Sequence, residues 1–338
     1  MSNVSIVVDA LGGDDAPQVV LEGVEQALAE AADIEVILTG PADVVEPFAA
    51  KHERCSAVAT TEVIEMGEHP ANAVRKKKDS SIVVGCRLVK EGKAQGFFSA
   101  GSTGACMAAA TLVVGRIKGV KRPCIASVLP SPVADPIVFA DMGANADCRP
   151  EYLVQFAKMA QVYSQVALGT QNPTVGLLNI GEEETKGSKF AQECHAALKE
   201  QVEGFAGNAE GKAIALGGFD VIVTDGFTGN VALKTYEGTG KALLKALKEA
   251  LMSSTKSKLG ALLCKDAISD LKAKISADEY GGAQLLGVKG VCLIGHGNSN
   301  AKAIKSGVLA TAAAIRQDMP AKLAAAVSEA PAEDEQDA

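Results

Sequence analysis

Residues 174–189 read TVGLLNIGEEETKGSK, an apolar run of strand length set against a glycine, three successive glutamates and then Thr-Lys-Gly. The run is continuous in Val, Leu and Ile rather than alternating, the composition of a strand covered on both faces. Gly181 then allows the chain to turn, and acidic residues favour a first helical turn because the macrodipole puts partial positive charge there. The stretch therefore predicts strand, glycine turn and helix start, with Glu182, Glu183 and Glu184 in the first turn. Lys186 would then lie within a turn of free backbone N–H groups, a junction able to hold an anion that enters from outside. Three carboxylates in a row also suggest a divalent cation, which takes several oxygen ligands at once. On a helix they would point about 100° apart, so at most two could converge, and no metal is expected.

The same rhythm recurs along the chain. SIVVDA, IEVILTG, GFFSAG, PIVFADMG, FDVIVTDG and GVCLIGHG are further strand candidates, separated by helical patterns. Residues 152–168 and 300–314 carry apolar positions at spacings of three and four and read as covering helices. Strands alternating with helices predict an α/β fold, three layers α/β/α around a mostly parallel sheet. Residues 1–320 read as one catalytic unit, and 321–338 as an acidic tail that loses periodicity from Ser328 and is expected to be disordered.

Composition excludes several classes. Hydrophobic residues make up 47% of the 338, yet no apolar run reaches the roughly 18 to 20 residues that span a bilayer. The first residues, MSNVSIVVDALGG, read directly as strand and glycine turn rather than as a signal peptide, so a cytoplasmic protein is expected. Eight cysteines are scattered without a CxxC pair, as reduced thiols would be, and Cys106 and Cys292 read as core residues. A net charge of −8 argues against nucleic acid, which would call for a basic face.

Parallel sheets bind ligands beyond the carboxyl ends of their strands, and several strands here end in glycine. FSAGSTGA (98–105), FADMGANAD (139–147), VTDGFTGN (223–230) and LIGHGNSN (293–300), together with Gly181, are expected to form one edge. Glycines let backbone amides turn outward toward a phosphate or a thioester carbonyl. No GxxxxGK[ST] and no GxGxxG between strand and helix appears, so no nucleotide cofactor is expected. No GxSxG elbow is present, and of four histidines only His296 falls at a strand end. The edge offers amides, lysines, Asp and Asn, which suits a reaction whose nucleophile is itself an incoming anion.

Seven ordered blocks carry a resemblance: DALGGDDAP (9–17), SAGSTGA, KRPCIA (121–126), DMGAN, LNIGEEETKG, TDGFTGNVALKTYEG and YGGAQLLGVKG. They resemble the bacterial phosphate acyltransferase (PlsX) family over roughly residues 4–316. The resemblance implies reversible transfer of a fatty acyl group from acyl carrier protein to inorganic phosphate, giving acyl phosphate for phospholipid synthesis. It also implies a fold similar to isocitrate and isopropylmalate dehydrogenases and a homodimer, with a membrane glycerol-phosphate acyltransferase as a further partner. On this reading Lys186, Asn230, Asp225 and Asn145 are the catalytic candidates. Gly101, Ser102, Thr103, Gly104, Asp141, Gly181, Lys234 and His296 are candidates for substrate binding. Ser102 stands where the family commonly has Asn, Leu11 where Met is usual and Gln284 where Pro is usual. A short-chain phosphotransacetylase and a non-enzymatic membrane scaffold for lipid synthesis are the alternatives.

Residues 241–274 break the rhythm and read as two helices joined near 253–257. Eight lysines against Glu249, Asp266 and Asp270 leave this segment at about +5 in an acidic chain. Leu243, Leu244, Leu247 and Leu251 form a stripe, and Leu259, Leu262 and Leu263 an apolar tip. Such a hairpin fits dimer packing, the docking of an acidic carrier protein, or peripheral contact with an anionic membrane through the tip leucines.

Overall fold

A computed structural model describes residues 3–275 and 279–328. Its strands are β1 (Val4–Asp9), β2 (Ile34–Gly40), β3 (Cys55–Ala59), β4 (Gly96–Ser99), β5 (Cys124–Leu129), β6 (Ile137–Ala140), β7 (Val175–Asn179), β8 (Phe205–Glu210), β9 (Val221–Val223), β10 (Ala283–Leu286) and β11 (Val291–Ile294). The first helices are α1 (Gln18–Glu30), α2 (Ala42–Ala49), α3 (Pro70–Lys76), α4 (Ser81–Lys90), α5 (Thr103–Ala109), α6 (Pro150–Leu168) and α7 (Lys189–Gln201). After them come α8 (Ala213–Leu216), α9 (Gly226–Met252), α10 (Thr255–Leu263), α11 (Lys265–Lys274), α12 (Ala301–Arg316) and α13 (Met319–Ser328).

The strands form one sheet in the order β3-β2-β1-β4-β11-β10-β5-β6-β9-β7-β8. Successive residues of each strand enter opposite cores, as the pleat requires. Val7, Phe139 and Ile222 pack with α3, α4 and α5 on one face. Ile6 and Val8 pack with α1 and α12 on the other, where Val138 and Val223 meet α6 and α13. The expected three-layer α/β/α arrangement is present. Gly23 lets α1 press on α12, because a Cβ there would come within 2.6 Å of Ile304 side-chain atoms.

Strand polarity changes the layout of the site. Antiparallel pairing joins β10 to β11, β10 to β5, and β5 to β6, and every other pairing is parallel. Three reversals in succession make β6, β9, β7 and β8 run opposite to β1, β2, β3, β4 and β11. The loops after β1, β4 and β11 therefore lie on one edge of the sheet, called the first edge below. Those after β6, β7 and β9 lie on the opposite, second edge, so the single edge expected from sequence is two.

Other expectations are also revised. The three glutamates do not open a helix: Ser188 caps α7 by accepting from the Ala191 amide (3.2 Å), just after Gly187 at φ +88°. The first arm of the basic segment is the distal part of α9 itself. That helix begins at the second edge, donates from Tyr236 Oη to the Pro130 carbonyl (2.7 Å) and continues for about four further turns, to Met252. The second arm divides into α10 and α11. Helix α13 runs through the boundary drawn at residue 320, burying Leu323 and Val327 against α6, and residues 329–338 lie outside the described residues.

Candidate active site

Three loops make up the second edge. After β6 the chain turns around the buried Asp141 side chain. Its Oδ1 accepts from the amides of Ile125 (2.9 Å) and Ala144 (3.1 Å), and its Oδ2 from the amide (2.8 Å) and side chain (2.9 Å) of Asn145. Burial pushes the Asp141 pKa up, and these hydrogen bonds oppose the rise. Asn145 also donates from Nδ2 to the Pro123 carbonyl (2.8 Å), so both of its amide hydrogens are occupied. Asp141 and Asn145 thus brace the loop at this strand end.

The first turn of α9 sits directly on this loop. The Gly226 amide donates to the Asn145 carbonyl (2.7 Å), and a Cβ on Gly226 would meet Asn145 N and Asp141 Oδ2 at 2.8 Å. Asp225, expected to be catalytic, is the helix cap: its carboxylate accepts from the Thr228 amide (2.8 Å) and hydroxyl (2.7 Å). Asn230 is exposed beside Gly143, and its amide has no hydrogen-bond partner among the described residues. Lys234, one turn further along, pairs with Glu237 at 3.1 Å.

The third loop carries Lys186. Its stem crosses Gly181 so closely that a Cβ there would lie 2.9 Å from Lys186 Cγ. The glutamates that made this junction puzzling take their own cations: Glu184 pairs with Lys199 (2.6 Å) and Glu182 with Lys212 (3.3 Å). Lys199 holds the Glu184 carboxyl below the usual range. Only Glu183 stays near Lys186, loosely at 3.9 Å and exposed, an arrangement of little strength. An incoming dianion can displace it.

The first edge holds Gly101, Ser102, Thr103, Gly104 and His296. Ser102 caps α5 through the Ala105 amide (3.4 Å), Thr103 is exposed, and the exposed His296 accepts at its carbonyl from Ser299. Asp9 was missed by the sequence reading, although it ends an apolar strand as Asp141 does. It is buried, accepting from the Leu11 amide (3.0 Å) and the Ser99 hydroxyl (2.7 Å), and Ser99 Oγ accepts in turn from the Gly101 amide (3.0 Å). Burial raises its pKa as it does that of Asp141. An open recess of about 680 Å³ between residues 130–136 and Tyr280 contains none of the candidate side chains.

No reactive thiol lies in either group. Cys106 and Cys292 are buried, as expected, and desolvation pushes both up to about 12, as it does Cys148 beside Asn145. Among the described residues no three His, Cys, Asp or Glu side chains converge as metal ligands would.

The fold is that of the phosphotransacylases. A phosphotransacetylase from Streptococcus pyogenes superposes with a TM-score of 0.56 at 17% identity, covering 93% of this chain and 94% of that one. A branched-chain phosphotransacylase from Enterococcus faecalis gives 0.56 at 14%, covering 92% and 98%. A family model described as "Fatty acid synthesis protein" matches residues 4–322. Phosphate acyltransferases of Clostridium botulinum (strain Langeland) and Clostridium perfringens (strain SM101) are each 47% identical over 307 and 308 residues, covering 90% of this chain and 91% of theirs. The chain belongs to this phosphate acyltransferase family.

The two asparagines should behave differently on substitution. Asn145→Asp sets a second carboxylate against Asp141 Oδ2 and the Pro123 carbonyl and should lower unfolding stability by about 1–3 kcal/mol. Asn230→Asp alters an exposed side chain and should shift stability by no more than about 0.5 kcal/mol. Urea unfolding of both variants checks the assignment; equal losses would contradict it.

Proposed function

We propose that this phosphate acyltransferase moves a fatty acyl group from the thioester of acyl carrier protein to inorganic phosphate at the second edge. A phosphate oxygen attacks the thioester carbonyl carbon, the carbonyl oxygen gains negative charge, the C–S bond breaks, and the carrier leaves as thiolate. A thiol of pKa about 8.5 leaves without a strong general acid, and phosphate attacks without a base, so positioning supplies most of the rate. Lys186 holds the phosphate, and the Asn230 amide donates toward the developing oxyanion. The observation that carries this reading is Lys186 itself, laid over Gly181 and, among the described residues, with only a loose Glu183 counter-ion, on the same edge as an Asn230 amide that is unpaired among them.

A homodimer accounts for the candidate residues on the first edge. Two copies related so that the first edge of one faces the second edge of the other would unite both groups. The exposed Phe227, Val231, Leu243 and Leu247 along α9 are suited to such an interface. The basic α9–α11 hairpin, carrying about +5, suits an acidic carrier protein. At its tip Leu259, Leu262 and Leu263 are exposed, Leu263 at 81%, beside Lys256, Lys258 and Lys265. This is a surface for peripheral membrane contact, from which acyl phosphate could pass to a membrane glycerol-phosphate acyltransferase. No described helix is long and apolar enough to cross a membrane.

Lys186→Ala should raise the phosphate KM and lower kcat/KM by about ten-fold or more, with unchanged unfolding. Thioester consumption followed against phosphate concentration, with acyl carrier protein and coenzyme A thioesters side by side, measures this; unchanged phosphate kinetics would remove Lys186 from the site.

The tip makes a separate prediction. Each lysine near an anionic surface contributes on the order of 1 kcal/mol, so firm attachment depends on leucine insertion. Leu262→Glu with Leu263→Glu should abolish co-sedimentation with anionic vesicles at all salt concentrations, whereas lysine substitutions should weaken it mainly at low salt. Undiminished sedimentation of the double variant would return the hairpin to dimer packing.

A further inference from the structure

We infer that Asn208, on the strand beside the Lys186 loop, is a positioning residue for phosphate, acting through Lys186. The inference rests on the reading that Lys186 holds phosphate and adds what fixes that lysine.

Asn208 lies within β8 and is 95% buried, yet only half of its amide is used. Nδ2 donates to the Glu183 carbonyl at 2.8 Å, while Oδ1 has no partner among the described residues. The Glu183 carbonyl also accepts the Lys186 amide at 3.0 Å, so Asn208 anchors the acceptor that closes the turn presenting Lys186. From the other side Asn179 Nδ2 donates to the Lys186 carbonyl (3.3 Å), and its Oδ1 accepts from the Ile180 amide (2.9 Å). Both backbone groups of Lys186 are thereby held, while its side chain stays exposed.

The strand is shaped to aim this side chain. Register between β7 and β8 slips between Val175 and Leu177, so that two residues of β7 span three of β8, from Phe205 to Asn208. Gly207, at φ +105°, absorbs the extra residue. Without the bulge Gly207 would stand opposite Leu177, and Asn208 would fall on the other face of the sheet. A buried amide with an unpaired oxygen costs stability, and an apolar residue of the same shape would remove that cost. The bulge and the bond to Glu183 together explain why an asparagine occupies the position: it serves the loop.

The test is Asn208→Leu, close in volume and unable to donate. Its thermal unfolding midpoint should equal or exceed that of the parent enzyme, while the phosphate KM rises about five-fold or more and the thioester KM stays within about two-fold. In a Lys186→Ala background the same substitution should add nothing, because Asn208 acts through that lysine. Asn179→Ala, which frees the Lys186 carbonyl, should also raise the phosphate KM. Overturning results are an unchanged phosphate KM in Asn208→Leu, an equal rise in both KM values, or a full additional effect in the Lys186→Ala background. If Asn208→Leu fails to fold and Asn179→Ala leaves phosphate kinetics unchanged, the role is structural and the inference falls. Unchanged phosphate kinetics in Lys186→Ala itself would instead remove the reading on which it rests.

Discussion

Hydrogen bonding between β5 and β6 determines where every candidate side chain lies. Leu129 pairs with Ile137 and Ala126 with Ala140 in antiparallel register, and β10 adds two further reversals beside them. Parallel strands on each side of this centre point in opposite directions. The loops after β1, β4 and β11 consequently cannot share an edge with those after β6, β7 and β9. A single chain thus carries two groups of glycine-bounded loops. The proposed homodimer is the arrangement that would bring them together.

Each group is organised around a buried carboxylate at a strand end. Asp9 collects the Leu11 amide and the Ser99 hydroxyl, and Asp141 collects three backbone amides and the Asn145 side chain. Neither has a lysine or arginine ion-pair partner among the described residues. Oriented N–H and O–H dipoles surround each carboxyl, offset part of its desolvation and tie the loop backbone to it. Glycines complete the fit at close approaches: Gly226 lies against Asn145, and a Cβ on Gly12 would meet the Ala100 and Gly101 amide nitrogens at 2.7 and 2.8 Å. Lys186 is left as the adjustable element, a long exposed cation on a loop whose backbone is tied down.

Much of this was legible in the sequence, and what was not had a common cause. All seven apolar runs quoted as strands are strands, because burial on both faces imposes a composition that can be read locally. β5 (CIASVL) and β10 (AQLL) escaped notice, and their antiparallel pairing is a non-local property that no run of residues announces. β8 (FAGNAE) escaped because a glycine and an asparagine interrupt it, yet these are the bulge and the amide that support the Lys186 loop. The glutamates favoured a helix start, but Gly187 and the Ser188 cap displaced it, while Lys199 and Lys212, distant in sequence, took Glu184 and Glu182. Lys186 and Asn230 are both exposed at the second edge. Asp225 caps α9 and Asn145 braces the loop after β6, contacts that residue type alone does not announce.

In the proposed reaction the thioester's acyl group passes to an oxygen of inorganic phosphate and not to water. Reaction of an acyl carrier protein thioester with phosphate labelled at all four oxygens with ¹⁸O tests it directly. Mass spectrometry of the product should find acyl phosphate bearing all four labels, one of them bridging to the acyl carbon, together with one equivalent of free carrier thiol. Unlabelled fatty acid formed alongside unchanged phosphate would contradict the account.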